Sequence, residues 1–291
     1  MSVRMETIAA SPLAASKPVR QGSRVWGKWG LRVIALTYLT VMLLLPLAAV
    51  VTDGLSGGLG GLWSDISRPA AWAALVLTLW TAAVMTVINT VMGVLTAYVL
   101  VRYKFRGRSL VNALIDIPFA IPTLVTGLML VLLYGPQTAV GSFLKNNFGW
   151  QIIFAPPGII LALLFVSFPF VVRTLQPVLM EIDIDQEDAA RTLGASGWMT
   201  FRRVLLPAIA PAVITGALLS FARALGEFGS IIIVAGNFPL RSQTAAVYVL
   251  TQIESDSQRS ASAMSVVLLA IAFCLVFVVD VIQRRQEQNH V

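Results

Sequence analysis

The chain of 291 residues has one cysteine, Cys274, and one histidine, His290. A lone cysteine closes no internal disulfide. A lone histidine leaves no Ser–His pair for hydrolysis within a membrane, and no HExxH run exists for a metal. Neither a catalytic nor a metal centre is therefore expected, and His290, in a terminal tail, is read as inert. Charge is also scarce. Only 12% of residues are charged, against roughly 25% in soluble domains. That excludes a large water-soluble domain.

What is abundant is apolar sequence: 57% of residues are hydrophobic and the mean hydropathy is +0.81. A helix needs about 20 apolar residues to cross a bilayer. Six such runs are expected, near 31–51, 71–101, 111–134, 152–172, 208–235 and 263–282, giving an all-α integral membrane protein. The first, behind a basic tail at residues 1–30, is read as a retained signal-anchor without a cleavage site. The formal charge of +7 suggests nucleic acid, but the basic residues sit in short loops beside the spans, as the positive-inside rule demands. Assigning Arg173, Arg191, Arg202 and Arg203 to the central loop puts sixteen Lys/Arg on one side and four on the other. Both termini and residues 182–207 are then cytoplasmic. In the tail, Gly22 and Gly27-Lys28 imitate a P-loop. Trp29 stands where its Ser/Thr belongs, and no strand precedes it, so a basic, Trp-rich interfacial anchor is the better reading. The outer connections 52–70, 135–151 and 236–262 are expected as loops, the first loosened by Gly57, Gly58, Gly60 and Gly61.

The stretch 187–207, EDAARTLGASGWMTFRRVLLP, is the main polar interruption after the tail. Asp185 is expected to cap a short helix, with Asp188 as its capping-box partner and Gly194 as its stop. Ser196 is expected to cap a second helix that ends before Pro207. Within the spans, three acidic or basic residues stand out, since a membrane-buried charge is costly and marks a functional position by default. Arg223 and Glu227, four apart, are expected to pair on one helix face. Asp116 opens DIPFAIPT, where Pro118 and Pro122 should break span three.

Asp188-Ala189-Ala190, three residues, Gly194, nine residues, aliphatic Val204, one residue, then Leu206-Pro207 resembles the EAA loop of ABC importer permeases. One departure is that the triplet's acid is Asp188, with Glu187 beside it. From about Ala71 to Ile282 the chain is similar to permease subunits of sulfate/thiosulfate ABC importers. The likeness is carried by YKFRGRSLVNALIDIPFAIPT, SFPFVVRTLQPVL and FARALGEFGSIIIVAGN, and it is closer to the T component than to its W paralogue.

The resemblance implies a type I importer transmembrane domain over residues 31–285, with six helices and a cytoplasmic coupling helix. It implies ATPase coupling by Glu187, Asp188, Ala189, Ala190, Gly194, Leu206 and Pro207. Arg223, Glu227 and Asp116 are the candidates for an anion pathway or gate. The implied partners are two ABC ATPase subunits, a paralogous permease and an extracytoplasmic sulfate-binding protein, in a bacterial inner membrane. Neither a cofactor nor chemistry of its own is implied for this subunit, and nucleic acid is not among its partners. Molybdate or tungstate import is the alternative substrate reading, and an ATP-independent secondary anion transporter the alternative mechanism.

Overall fold

The computed structural model describes residues 25–289. Most of the basic tail, Gly22 and His290 lie outside them. The chain divides into two units, residues 1–48 and 49–291. The first holds α1 (Val25–Leu39) and a π-helical turn, Thr40–Leu44, and α2 (Leu45–Gly54) begins in it. Val25 and Trp26, which a phosphate loop needs outside a helix, are already helical.

The larger unit is built of helices joined by short irregular connections, with no strand among its described residues. In order come α3 (Gly58–Ile66), α4 (Pro69–Arg102), α5 (Arg108–Ala120), α6 (Thr123–Tyr134), α7 (Ala139–Phe148) and α8 (Pro156–Glu181). Then follow α9 (Ile184–Thr192), α10 (Gly197–Thr200), α11 (Leu206–Leu225), α12 (Gly229–Ala235), α13 (Ala245–Glu254) and α14 (Gln258–Asn289). Five stretches are long and apolar enough to cross a membrane: Trp29–Gly54, Pro69–Arg102, Pro156–Glu181, Gly197–Leu225 and Gln258–Arg284. The pair α5 and α6 is apolar enough only when taken together, and it is bent by 109°, the geometry of a broken span or a re-entrant loop. Pro122 has no N–H to continue α5 and forces Ile121 into extended geometry, φ −87° and ψ 127°. The expected break is thus a sharp corner.

Most threonines along α4 are tolerated because their hydroxyls bond back to the same helix, Thr90 Oγ1 being buried without a partner among the described residues. Thr78 donates to the Ala74 carbonyl at 2.8 Å, Thr86 to Ala82 at 2.8 Å and Thr96 to Met92 at 2.7 Å. The core of the unit is the junction of α4, α8 and α11. Val171 on α8 sits against glycines of both neighbours. A Cβ on Gly93 would lie 2.6 Å from Val171 Cγ1, and one on Gly216 would lie 3.2 Å from Val171 Cα. Small residues at such crossings let helix backbones approach where no hydrophobic effect drives them together.

Four expectations are corrected. Span five ends at Leu225, not near residue 235, because Gly226–Phe228 leaves helical geometry and α12 starts separately. The second connector helix does not stop before Pro207. It runs into α11 through a π-helical turn, Phe201–Leu205, in which the Leu206 N–H bonds to the Phe201 carbonyl. The widened turn makes room for the Pro207 ring, which would otherwise press on the carbonyl four residues back. The turn Thr40–Leu44 precedes Pro46 in the same way. Residues 58–66 are helical, not loose. Gly57 and Gly61 lie under the Arg259 guanidinium, where a Cβ would come within 2.1–2.2 Å of Nη2. That guanidinium pairs with buried Asp65 at 3.3 Å, and Arg68 does so at 2.8 Å, tying α3 to the start of α14. The connection 236–262 likewise carries α13, whose Ala245 N–H donates to Thr78 Oγ1 at 2.8 Å. Fourth, Arg173 lies within α8, eight residues before its end, so the central loop contributes one cation fewer.

Candidate functional site

The polar connector is built around two caps. Asp183 caps α9 by accepting from the Asp185 N–H at 3.1 Å, so the cap falls two residues before the expected Asp185. In the run DID either acid has the chemistry, and Asp183 is the one with extended backbone. The C-terminus of α9 is a Schellman turn. Gly194 has φ +86°, its N–H bonds to the Arg191 carbonyl at 2.9 Å, and the Ala195 N–H bonds to Ala190 at 3.0 Å. A Cβ at Gly194 would meet nothing, so the positive φ alone demands glycine there. Ser196 caps α10 as expected, accepting from the Met199 N–H at 3.3 Å.

The neighbouring acids divide into two roles. Glu187 is 3% exposed and binds Arg102 Nε, at the end of α4, at 2.7 Å. Arg102 also donates to the Ile182 carbonyl at 3.2 Å. Asp188 has a side chain 57% exposed and, among the described residues, pairs only with Arg191, at 3.3 Å. Glu187 therefore holds the connector to the bundle, and Asp188 faces out. Beside it Ala189 is exposed and Ala190 half-buried. Leu193 and Trp198 stand fully out, while Leu206 packs into the core and Pro207 stays exposed. Tyr98 meets the rings of Tyr103 and Phe201 edge-on, and Phe201 stacks on Trp198. A rigid, capped knob thus presents a mixed polar and apolar face.

Asp116 lies within α5 and grips Arg173 of α8, with its Oδ1 2.7 Å from Arg173 Nε and its Oδ2 on Nη2. The remaining guanidinium protons go to the Asn112 carbonyl at 2.9 Å, Asn112 Oδ1 at 3.2 Å and Gln176 Oε1. Gln176 Nε2 also donates to Asn112 Oδ1, at 3.0 Å. All five N–H donors of Arg173 are satisfied, which makes the cluster a latch between α5 and α8. The sequence reading missed it. An arginine inside FVVRTLQ was the available signal.

Arg223 and Glu227 pair at 2.8 Å, as expected. They do not share a continuous helix, because Glu227 sits in the break after α11. It is 2% exposed, and its Oε1 accepts from both the N–H and the hydroxyl of Ser230, each at 2.9 Å. One carboxylate therefore neutralises Arg223 and caps α12. This break meets the α5–α6 corner. A Cβ on Gly229 would fall 2.1 Å from Thr123 Oγ1, and one on Gly127 would fall 2.7 Å from the Ser230 carbonyl. Two interrupted helices are thus packed at their starts beside a buried carboxylate and a part-exposed guanidinium. Asp116 and Arg173 form a separate group. Among the described residues, no cluster of His, Cys, Asp and Glu is arranged to hold a metal.

Comparison with known proteins agrees with this architecture. Residues 89–289 match the family described as binding-protein-dependent transport system inner membrane component. The probable sulfate transport system permease protein cysT of Chlorokybus atmophyticus is 44% identical over 250 residues, covering 86% of this chain and 87% of that protein. The sulfate transport system permease protein CysT of Escherichia coli K12 is 39% identical over 251 residues, covering 86% and 90%. Among solved structures, a bacterial ABC transporter involved in the import of the acidic polysaccharide alginate superposes with a TM-score of 0.74 at 17% identity, over 90% of this chain and 96% of that one. That likeness shows the fold, a type I ABC importer permease. The chain is a multi-pass membrane protein of the binding-protein-dependent transport system inner membrane component family.

Proposed function

We propose that this chain is a permease subunit of an ATP-driven importer for sulfate or thiosulfate. The observation that carries the reading is 39–44% identity, over most of the chain, to proteins named as sulfate transport permeases. Its partners are two ATPase subunits, a paralogous permease and an extracytoplasmic sulfate-binding protein. Both termini and the α9–α10 connector face the cytoplasm, on the weight of basic residues at that end. ATP hydrolysis belongs to the partner subunits, and this chain supplies a pathway and a coupling surface.

In that role α9 and α10 seat in the ATPase. Asp188, Ala189 and exposed Leu193 form the contact, Glu187 with Arg102 transmits force to α4, and Gly194 shapes the turn. Leu206 and Pro207 join the connector to α11. Arg223, the Ser230 N–H and the Ser230 hydroxyl form a donor set suited to an oxyanion, and Glu227 occupies it at rest. Sulfate competes with Glu227 for these donors when the gate opens, and the Asp116–Arg173 latch holds α5 against α8 until then.

The test is uptake of labelled sulfate into proteoliposomes by the co-purified complex, with molybdate and thiosulfate as competitors. ATP-dependent uptake suppressed by thiosulfate supports the reading. Uptake indifferent to ATP overturns it, and uptake suppressed only by molybdate moves the substrate to the alternative oxyanion.

A further inference from the structure

The loop between α4 and α5, Tyr103-Lys104-Phe105-Arg106-Gly107, with Arg108 opening α5, is adjacent to the connector but is not used by it. Arg102, one residue earlier, is committed to Glu187 and the Ile182 carbonyl. The side chains of Lys104, Arg106 and Arg108 make no ion pair or hydrogen bond among the described residues. Three free cations thus share one tight turn at the end of the bundle. Phe105, from the same turn, lines an apolar hollow of about 310 Å³ with Leu95, Thr96, Val99, Leu100 and Val111. The one hydroxyl in that wall, on Thr96, is spent on the Met92 carbonyl.

The hollow does not end there. Thr96 and Val111 also line a second one of about 670 Å³, which runs between α4, α5, α6 and α8 past Met92, Leu114 and Phe168 to Ile88 and Leu164. Those last two border a third, of about 640 Å³, that reaches Trp150 and Pro157. A greasy furrow therefore starts under the basic turn and follows α4 away from it. A free phosphate uses only the cations and leaves the furrow unexplained. A detergent-like or neutral lipid uses only the furrow. A molecule with an anionic head and long hydrocarbon tails uses both.

We propose that the Tyr103–Arg108 turn and the furrow beside α4 form a binding site for an anionic phospholipid. Lys104, Arg106 and Arg108 hold the phosphate, and one acyl chain lies along Phe105, Val99 and Leu95 toward Ile88. The anchored lipid braces the end of α4 to which Arg102 fastens the connector.

The site is tested with the complete complex in nanodiscs and by native mass spectrometry after delipidation, titrating phosphatidylglycerol against phosphatidylcholine. Each cation facing an anionic headgroup is worth about fivefold in affinity, so Lys104→Gln/Arg106→Gln/Arg108→Gln is expected to lose on the order of a hundredfold for phosphatidylglycerol and little for phosphatidylcholine. Thr96→Phe, which fills the shared wall of the two hollows, is expected to weaken both lipids. Retention of phosphatidylglycerol unchanged in the triple variant overturns the proposal. So does displacement of the lipid by millimolar inorganic phosphate, which makes this a simple anion site. A cysteine at Val99 that crosslinks to the second permease, in a Cys274→Ser background, also overturns it, because a protein then fills the furrow. If the triple variant loses the ATPase while keeping its lipid, the turn is a protein contact and the proposal fails.

Discussion

Glu187 and Asp188 are adjacent in sequence and opposite in circumstance. Removing Arg102 takes the close partner from a buried carboxylate and leaves it only Arg191, 3.9 Å away; breaking a buried pair costs up to about 3–5 kcal/mol in protein interiors. Arg102→Ala is therefore expected to lower the melting temperature of the complex and to weaken ATPase retention. Asp188→Arg changes an exposed side chain and is expected to lose the ATPase with little thermal shift. Thermal unfolding paired with co-purification separates the two, and equal behaviour of both variants contradicts the division of roles. The same reasoning applies to Arg223. Arg223→Gln alone strands Glu227, so the informative variant is Arg223→Gln/Glu227→Gln, which is neutral and keeps an acceptor for Ser230. It is expected to assemble while the KM for sulfate uptake rises about tenfold or more, the loss of a charge-assisted hydrogen bond or two. An unchanged KM removes Arg223 from the pathway. The pairing of Arg223 with Glu227 was legible because the partners are four residues apart. Arg102 with Glu187 and Arg173 with Asp116 were not, since 85 and 57 residues separate them. Local spacing carries no information about partners brought together only by helix packing.

Helices here are shaped as much by where they stop as by where they run. The α5–α6 corner was legible, because Pro122 acts through its own backbone chemistry. The α11–α12 break was legible only in part: Gly226 and Gly229 allow tight packing or a bend there, but apolar sequence continues across it and hides the interruption. The π-helical turn before Pro207 was also invisible. Proline announces a disturbance, and only the surrounding packing decides between a stop and a bulge. At the α4–α8–α11 junction, Gly93→Ala sets a Cβ 2.6 Å from Val171 Cγ1, on a stiff β-branched side chain. Overpacking of this kind costs about 1–3 kcal/mol, so a lowered melting temperature is expected, with partial recovery in Gly93→Ala/Val171→Ala. Gly194→Ala differs in kind. It meets no neighbour and is strained only by φ +86°. It is expected to cost about 1 kcal/mol and to leave the bundle intact while loosening the α9–α10 turn, read as faster amide exchange at Ala195.

Five apolar helices long enough to cross a membrane, the broken α5–α6 pair and the polar knob between α8 and α11 were readable from hydropathy, proline and charge. The helices α3, α7, α12 and α13, in or near the connections expected as outer loops, were not, because each is only 7–10 residues long and α3 is glycine-rich besides. Those helices matter for assembly. Asp65, Arg68 and Arg259 lock α3 to α14, and Asp65→Asn is expected to loosen that end without altering ATPase binding at the other. In the proposed role, the bundle is a lever with one end fastened by ion pairs and the other held by the ATPase. Its decisive test is the location and contact of Leu193, 89% exposed at the tip of the knob. Leu193→Cys in a Cys274→Ser background is expected to crosslink to the ATPase subunit and to resist a membrane-impermeant thiol reagent added outside intact cells. Labelling from outside, with no crosslink to the ATPase, would contradict the coupling role assigned to α9 and α10.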